Sequence, residues 1–537
     1  MSATGRPAIL DCTLRDGGYY TNWDFSPRLV TDYVRTVSEL PVTYVELGYR
    51  SPAQPSYLGE YFFLPDSTLE RVAAQLQPGC QLALMLNAKD CEPEQIAPLL
   101  ASSRSRVRLV RLAVDPHQLT HGVDVARAVK ALGFEVALNL MYLSRYLDRA
   151  PLLDTLASLH DVVDDVYFVD SYGGCLPDQV GRYIRTAKSA LPQRTGFHGH
   201  DNLELAFANT LAAIDAGVDM VDATILGMGR GAGNLRTELI VPYLASRHGI
   251  QLDFSRLANL LEAFDELKQK HQWGPHLPYI VSGLADLPQK DVMDWLAKKR
   301  HSSATIVLAL QQGPGALADA THYPSLREAK SLDRFRGKPA VIIGGGQTAA
   351  LHRDAICEYA KREGALVIHS SVRHVEAYAS AGIDAVLCLP GEEVSKLPRE
   401  RHGPWELLAA YILTAPPRVK QSIPGALRTH VFETQPIAPA TPRQDPLMAS
   451  DTPLGLALGA SRDLGARRVF LVGFDGYAHP SEAQQELARE VEETLESFQA
   501  AHPEIVMASA TPTRYAVRQV SIFALLASPP AQAVMAR

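Results

Sequence analysis

The sequence predicts an α/β protein whose N-terminal part closes into a (β/α)8 TIM barrel, carries a helical appendage and is followed by a second α/β domain. Three observations lead there. Between residues 8 and 229, short apolar and β-branched runs alternate with longer helical patterns, as parallel strands joined by crossover helices do. Eight such runs can be counted, with starts roughly 25 to 40 residues apart; that is about one βα unit each, and the number favours a closed barrel over an open doubly wound sheet. Beyond a polar segment, SLREAKSLDRFRGKP, a new apolar run, AVII, begins at Ala340 and stops at three glycines, which marks a domain boundary and a fresh strand.

The barrel strands are placed at Ala8–Asp16, Val42–Arg50, Gln81–Ala88, Arg106–Val114, Glu135–Leu143, Asp165–Gly173, Thr195–His200 and Met220–Leu226. After Thr237 the pattern turns helical, with Leu257, Leu260, Leu261, Phe264 and Leu267 at helix spacing. Residues 1–250 are therefore read as the barrel, 251–337 as the helical appendage and linker, and 338–537 as the second domain. Its further strands are expected at Ala365–His369, Ala385–Leu389, Val469–Val472 and Ile505–Ala508. The stretch from Ser422 to Pro453, with six prolines, reads as an irregular loop, and Glu482 to Phe498 as a charged amphipathic helix with a solvated face.

Composition sets limits on function. The 537 residues are 46% hydrophobic and 21% charged, ordinary globular usage. A net charge of -7 without a long basic run argues against nucleic acid as a partner. Six cysteines with no C-x-x-C pair fit reduced thiols. No apolar run reaches the ~18 residues that span a bilayer, and the opening MSATGRPAILDC lacks the layout of a secretory signal. A cytoplasmic protein without membrane insertion is expected.

The residues that close the barrel strands carry the chemistry, because reactive groups in such barrels project from the carboxyl ends of strands. Strand one is read as ending in Thr13-Leu14-Arg15-Asp16-Gly17-Gly18, and strand seven in His198-Gly199-His200-Asp201-Asn202. Alternation along a strand puts His198 and His200 on one face about 7 Å apart, a span that two imidazoles bridge by converging on one ion at ~2.1 Å. Asp16 completes a facial set only if the sheet closes and brings strand one near strand seven. A His-x-His pair alone is a weak signal; its combination with Arg-Asp-Gly-Gly singles these residues out. Gly17 and Gly18 are read as letting backbone and substrate approach the ion. The mixed oxygen and nitrogen set suits Mg2+, Mn2+, Co2+ or Zn2+. The loop Gly227 to Asn234 reads either as a cover over the same mouth or as a flexible turn.

Three motifs, TLRDGGY at 13–19, FHGHDN at 197–202 and GMGRGAGN at 227–234, together resemble those of the barrel metallolyases and condensing enzymes that include 4-hydroxy-2-oxoacid aldolase, hydroxymethylglutaryl-CoA lyase and isopropylmalate synthase. The resemblance spans about residues 8 to 240. It is nearest to aldolase-like members found with cell-surface polysaccharide genes, in which TLRDGGY is followed by an Asn-Trp-x-Phe segment, as Asn22, Trp23 and Phe25 are here. It implies that Asp16, His198 and His200 ligate the metal, Mn2+ or Mg2+ ahead of Co2+ or Zn2+. It also implies that Asn234 lies near the ion or joins its ligands, and that Arg15 steadies an enolate oxygen. Where those aldolases carry a general-base histidine shortly after the aspartate, this chain has Tyr19. An ordinary tyrosine ionises near pH ~10 and is a poor base at neutral pH unless the metal or Arg15 lowers that value.

Other strand-end or inward candidates are Glu46, Arg111, Asn139, Tyr142, Asp170 and Ser171. Glu46 interrupts an otherwise apolar strand, and a buried carboxylate needs a partner or a task; catalysis and an ion pair with Arg15 or Arg111 are both open. Asp170 is read as catalytic or as a cap on the following turn, and Arg111, Asn139 and Tyr142 as substrate-binding.

In the second domain, Gly344-Gly345-Gly346-Gln347-Thr348-Ala349 follows a strand and precedes a helical run, a relaxed G-x-G-x-x-A pattern with a helix start open to phosphate. The next strand ends in His369-Ser370-Ser371 rather than in an acid, which disfavours NAD. The run Leu464 to Gly476 is similar to segments in Rossmann-like domains of bacterial surface-glycan enzymes. That resemblance implies a nucleotide or nucleotide-sugar site at Gly344, Gly345, Gly346 and Asp475; a structural or dimerising module is the alternative.

These readings predict a divalent-metal-dependent aldolase-type lyase that works through the enolate of a pyruvate-like 2-oxoacid, with an aldehyde or sugar as the second small molecule, in surface-glycan sugar biosynthesis. The alternatives are an acetyl-CoA-dependent Claisen-type acyltransferase and a nucleotide-binding scaffold or sensor with a non-catalytic barrel. A homo-oligomer is expected.

Overall fold

Strand β1 (Ala8–Asp11) pairs in parallel with β2 (Tyr44–Tyr49) on one side and with β8 (Met220–Ala223) on the other. Between them run β3 (Gln81–Asn87), β4 (Val107–Val114), β5 (Glu135–Leu140), β6 (Asp165–Asp170) and β7 (Arg194–Gly199), and the eight strands close as a parallel barrel in sequence order. The computed structural model describes residues 6–54, 57–147, 150–298, 301–398, 403–441, 452–478 and 482–528. The chain divides into two compact units, Met1–Asp294 and Trp295–Arg537.

Strand alternation sorts the barrel side chains into two sets. One set joins the surrounding helices in a large apolar shell that includes Ile9, Val45, Leu84, Val110 and Leu138. The other points inward, where Leu10, Tyr44, Ala83, Leu109, Ala137, Tyr167 and Met220 form a separate small cluster. Two residues further along their strands, on the same inward face, come Glu46, Arg111, Asn139 and Asp222, all nearly or fully buried. The interior thus changes from apolar to charged toward the carboxyl ends of the strands, where such barrels do chemistry.

The strand starts match the sequence reading, but several ends do not. The first strand stops at Asp11, and Thr13–Thr21 forms a helix, α1. Asp16 is therefore a first-turn helical residue, with its amide on the Cys12 carbonyl at 3.0 Å. Helices Phe254–His271 and Leu277–Leu284 follow the barrel. The second helix and the connection between the two brace its loops: the Trp273 indole donates to the Leu226 carbonyl at 3.0 Å, and Asn202 donates to the Tyr279 carbonyl at 2.8 Å.

The second unit holds a two-stranded antiparallel pair, β9 (Ala318–Asp319) with β14 (Arg418–Val419), and a seven-stranded sheet. Its strands are β10 (Ala340–Ile343), β11 (Leu366–His369), β12 (Ala385–Cys388), β13 (Leu408–Thr414), β15 (Val431–Thr434), β16 (Arg468–Val472) and β17 (Val506–Ser509). They are all parallel, in the order β15-β13-β12-β11-β10-β16-β17. Alternate residues of each strand enter two separate apolar clusters, Ile342, Ile368 and Leu471 in one and Ile343, Val367 and Val472 in the other, so both faces are covered, as parallel sheets require. Strands β13 and β15 were not anticipated, and β15 lies in the proline-bearing stretch read as a loop. Residues 442–451 of that stretch lie outside the described residues. No described helix is long and apolar enough to cross a membrane.

Candidate metal centre

Helix α1 owes its position to the residues after it. Asn22 and Trp23 both take left-handed backbone angles, with φ of 54° and 56°, which turns the chain back on the helix. The Trp23 indole then donates to the Arg15 carbonyl at 2.8 Å, and its ring lies where a side chain at Gly18 would project, 2.1 Å from the place a Cβ would take. Gly17 likewise makes room for Met228, whose Sδ would be 2.6 Å from an added Cβ. The two glycines therefore admit protein side chains; their expected role in substrate approach is corrected.

Helix α1 and strand β7 bring Asp16, His198 and His200 together. One ligand atom of each lies within 4.8 Å of the other two, and all three residues are buried. The imidazole centroids are 4.9 Å apart, and His198 Nε2 is 3.7 Å from Asp16 Oδ2. Each ring is held by its other nitrogen, His198 Nδ1 at 2.8 Å from Asp222 Oδ2 and His200 Nδ1 at 2.8 Å from the Asp170 carbonyl. A carbonyl only accepts, so His200 Nδ1 carries the proton and Nε2 presents a lone pair. Burial first, then the neighbouring His198, pushes the His200 pKa down to about 3, which leaves the ring neutral at pH 7. Burial would raise the Asp16 carboxyl, but Arg15 and the two imidazoles outweigh it and hold it well below the usual carboxylate range.

An ionised carboxylate and two imidazoles, each oriented by a partner on Nδ1, are what a divalent cation needs. Asn234 adds a fourth donor group: its Nδ2 donates to Asp16 Oδ2, while its Oδ1 is buried without a hydrogen-bond partner. Asn234 reaches this place through the loop 227–234, which returns beside strand β7 by a bridge between His200 and Asn234. The donor set thus fits the expected ion. Cys12, His198 and Asp222 are also close together, but burial pushes the Cys12 thiol well up and it donates to the Ala223 carbonyl at 3.6 Å.

Behind the trio lies a closed ionic network. Glu46 Oε2 accepts from Arg15 Nε at 2.8 Å and from Arg111 Nη1 at 3.1 Å. Arg111, with no exposed surface, also donates to Asp222 and to Asn139 Oδ1 at 3.2 Å, and its guanidinium lies 4.2 Å over the Tyr167 ring. All three kinds of Arg111 nitrogen are thereby engaged within the protein. Arg15 spends Nε on Glu46 and Nη1 on Asp16, while its Nη2 makes no hydrogen bond among the described residues.

A cavity of about 400 Å³ opens above the trio. Of the residues singled out in the sequence, it is lined by Arg15, Asp16, Tyr19, Asn139, Tyr142, His198 and His200. Glu46, Arg111 and Asp170 sit behind this lining. The Asp170 carboxylate accepts from the amides of Gly174 and Cys175 at 3.2 and 3.1 Å; its carboxyl is turned to the loop, its carbonyl to His200. Ser171 Oγ accepts from the Tyr142 amide at 2.8 Å, and Tyr19 Oη is 3.1 Å from Tyr49 Oη. Tyr49, Asp222 and Arg230 are contributors that sequence reasoning missed. Asp222 obeys the rule that drew attention to Glu46, a carboxylate in an apolar strand, and that signal was available.

In the second unit, Gly344, Gly345 and Gly346 follow β10 at the point where the strand order diverges to β11 and β16. A cavity of about 380 Å³ there is lined by Gly345, Gly346, Ser371, Arg373 and Asp475, among others. The Thr348 amide, read as open to phosphate, donates to Asp475 at 3.1 Å, and its hydroxyl donates to the same carboxylate.

Comparison with known proteins sets this geometry beside relatives. The HMGL-like family model matches residues 6–263. An oxaloacetate decarboxylase of Mycobacterium tuberculosis is 31% identical over 260 residues, 48% of this chain and 76% of that protein. A 4-hydroxy-2-oxovalerate aldolase of Thermomicrobium roseum is 31% identical over 251 residues, 45% of this chain and 68% of the relative. Among solved structures, the N-terminal domain of a Bacteroides vulgatus protein described as an aldolase is 42% identical, with a TM-score of 0.53, over 56% of this chain and 99% of that one.

Proposed function

The chain belongs to the HMGL-like family, and from that premise we propose that its barrel is a divalent-metal-dependent carbon–carbon lyase acting on a 2-oxoacid, with an aldehyde or sugar as the second partner. The observation that carries the reading is the buried trio of Asp16, His198 and His200, each imidazole presenting Nε2 because its Nδ1 is already engaged. Mn2+ or Mg2+ is the proposed ion; when bound, it supplies Lewis-acid polarisation of the 2-oxoacid oxygens.

The protein's own groups supply the rest. In the cleavage direction the bond between C3 and C4 of a 4-hydroxy-2-oxoacid breaks, the 4-hydroxyl gives up its proton and becomes the aldehyde oxygen, and the electron pair moves into the 2-oxo group. Arg15 meets that charge with Nη2, the donor left open when Nε and Nη1 are fixed by carboxylates, and a donor so held needs no reorganisation as charge develops. Tyr19 is the proposed carrier of the hydroxyl proton, since it lines the cavity with its Oη in contact with Tyr49 Oη. The cavity of about 400 Å³ suits a small substrate rather than a polymer.

Proton exchange tests this reading without knowledge of the aldehyde. Pyruvate incubated with the full chain and Mn2+ in D₂O should lose its methyl proton signal. Chelation should stop the exchange, and an unchanged methyl signal would refute the enolate reading.

For the second unit we propose a nucleotide or nucleotide-sugar site in the cavity beside Gly345. The support is its place where the strand order diverges, the usual ligand crevice of open parallel sheets, and its lining of Ser371 and Arg373. Because Asp475 occupies the Thr348 amide, Arg373 rather than the start of the short helix is assigned the phosphate. Calorimetric titration of the full chain with CDP, UDP and their sugar conjugates tests it, and heats equal to buffer dilution throughout would refute it.

A further inference from the structure

Three arginines stand near the trio, and one differs from the other two. Arg15 and Arg111 each contact two carboxylates. Arg230, half-buried on the loop 227–234, lines the same cavity and has no ion pair and no side-chain hydrogen bond among the described residues. Its guanidinium instead lies against the Tyr19 ring, 5.3 Å from the centroid. A planar cation packed on an aromatic face, with its donors unused, is preorganised for a carboxylate or phosphate.

The rest of the lining points the same way. Lys89, exposed at the mouth, also has no ion pair or side-chain hydrogen bond among the described residues. The acids of the lining are Asp16 and Asp115. Asp16 is engaged by Arg15 and Asn234, and Asp115 accepts from the His117 amide at 2.9 Å. Two cations therefore face the cavity with no ion pair to a carboxylate among the described residues, and Asp115 can balance at most one of them. The carboxylate of a 2-oxoacid held at the trio neutralises one positive charge at most, and a divalent ion there makes the wall more positive still.

We propose that Arg230, assisted by Lys89, binds an anionic group on the second substrate, so that the aldehyde partner carries a carboxylate or a phosphate away from its reacting carbon. This rests on the lyase reading and deepens it. Charge-assisted, bidentate recognition of that kind is worth about 10- to 100-fold in selectivity.

The test pairs aldehydes that differ in charge. With pyruvate and Mn2+, kcat/KM is measured for succinic semialdehyde against butanal and for glycolaldehyde phosphate against glycolaldehyde, which separates carboxylate from phosphate. Wild-type protein should prefer the anion in at least one pair by ~10-fold or more. The charged-to-neutral ratio should fall about 10- to 100-fold in Arg230→Gln, fall less in Lys89→Gln, and largely return in Arg230→Lys. Calorimetric titration of metal-free wild-type and Arg230→Gln protein with succinic semialdehyde reads the same contact without turnover. Two results would overturn the proposal: no charge preference in the wild type, or a ratio that Arg230→Gln leaves intact. A rise in the pyruvate KM for proton exchange in Arg230→Gln, with the ratio unmoved, would assign Arg230 to the 2-oxoacid instead. Loss of pyruvate exchange in the wild type speaks against the lyase reading, whereas exchange without charge preference speaks against Arg230 alone.

Discussion

Asp222 Oδ2 lies 2.8 Å from Nδ1 of His198, and the same oxygen accepts a hydrogen bond from Arg111. One buried carboxylate oxygen thus joins the candidate metal site to the ionic network behind it. Burial opposes its charge, but Arg111 and His198 outweigh burial and keep its pKa below the usual value. An ionised Asp222 fixes the His198 proton on Nδ1 and leaves Nε2 for the ion.

Removing that anchor should weaken metal binding without removing a ligand. Asp222→Ala is expected to lower affinity for Mn2+ about 10- to 100-fold, measured by competition with a chelator of known affinity. An unchanged affinity would mean that strand β7 alone orients the ring.

The network should also govern stability. Glu46 and Asp222 are each at most 2% exposed, so Arg111→Met would leave Asp222 without its guanidinium and Glu46 with Arg15 alone. Breaking a buried pair from one side costs about 3 to 5 kcal/mol. The first unit should therefore unfold at clearly lower denaturant than in the wild type, whereas the double variant Arg111→Met, Asp222→Asn should recover part of the loss, because the stranded charge has gone.

How much of this was legible depended on the range over which each signal acts. His198 and His200 needed only the two-residue period of a strand, and that is local. The end of strand one was misplaced because Thr13 to Gly18 carries two glycines, poor helix formers, and the helix is held by contacts to Trp23 and Met228. Asp170 was read as catalytic or as a cap on the following turn, and its carboxylate does accept from the amides of that turn; that its carbonyl serves His200 is something no residue type announces. Strand β13 was missed because Leu408-Ala409-Ala410-Tyr411 reads as helix by composition; parallel pairing with β12 and β15 on its two sides decides otherwise. Arg230 was invisible because its meaning lies in the absence of a partner.

The contact between Gly18 and Trp23 reverses an ordinary expectation. Alanine at a helical glycine normally stabilises by ~1 kcal/mol. At Gly18 the added Cβ would fall 2.1 Å from the indole, so the ring must leave its contacts with Tyr19, Tyr49 and Phe62 and its bond to the Arg15 carbonyl. Gly18→Ala should cost about 1 to 3 kcal/mol and reduce turnover through Arg15. Gly17→Ala meets only the flexible end of Met228 and should cost less. Denaturation midpoints and pyruvate exchange rates of the two variants, compared side by side, decide the matter; equal effects would argue against the role assigned to Trp23.

The barrel should also carry a pH-dependent term unrelated to metal. Asp165, whose side chain is fully buried at the start of β6, receives the Arg194 fork at 2.6 and 2.9 Å. Burial nevertheless outweighs Arg194 and pushes its carboxyl up to about 6, from 3.8. A raised folded-state pKa means that the folded protein binds the proton more tightly than the unfolded chain does. The resulting stabilisation is full below pH 3.8 and is lost as pH rises through 6. Across that window it amounts to about 3 kcal/mol. Asparagine does not titrate, so the stability of wild-type protein relative to Asp165→Asn should fall by up to that amount between pH 4 and pH 7 in metal-free buffer. A flat difference, or one rising with pH, would show that the Arg194 pair, rather than burial, sets the state of Asp165.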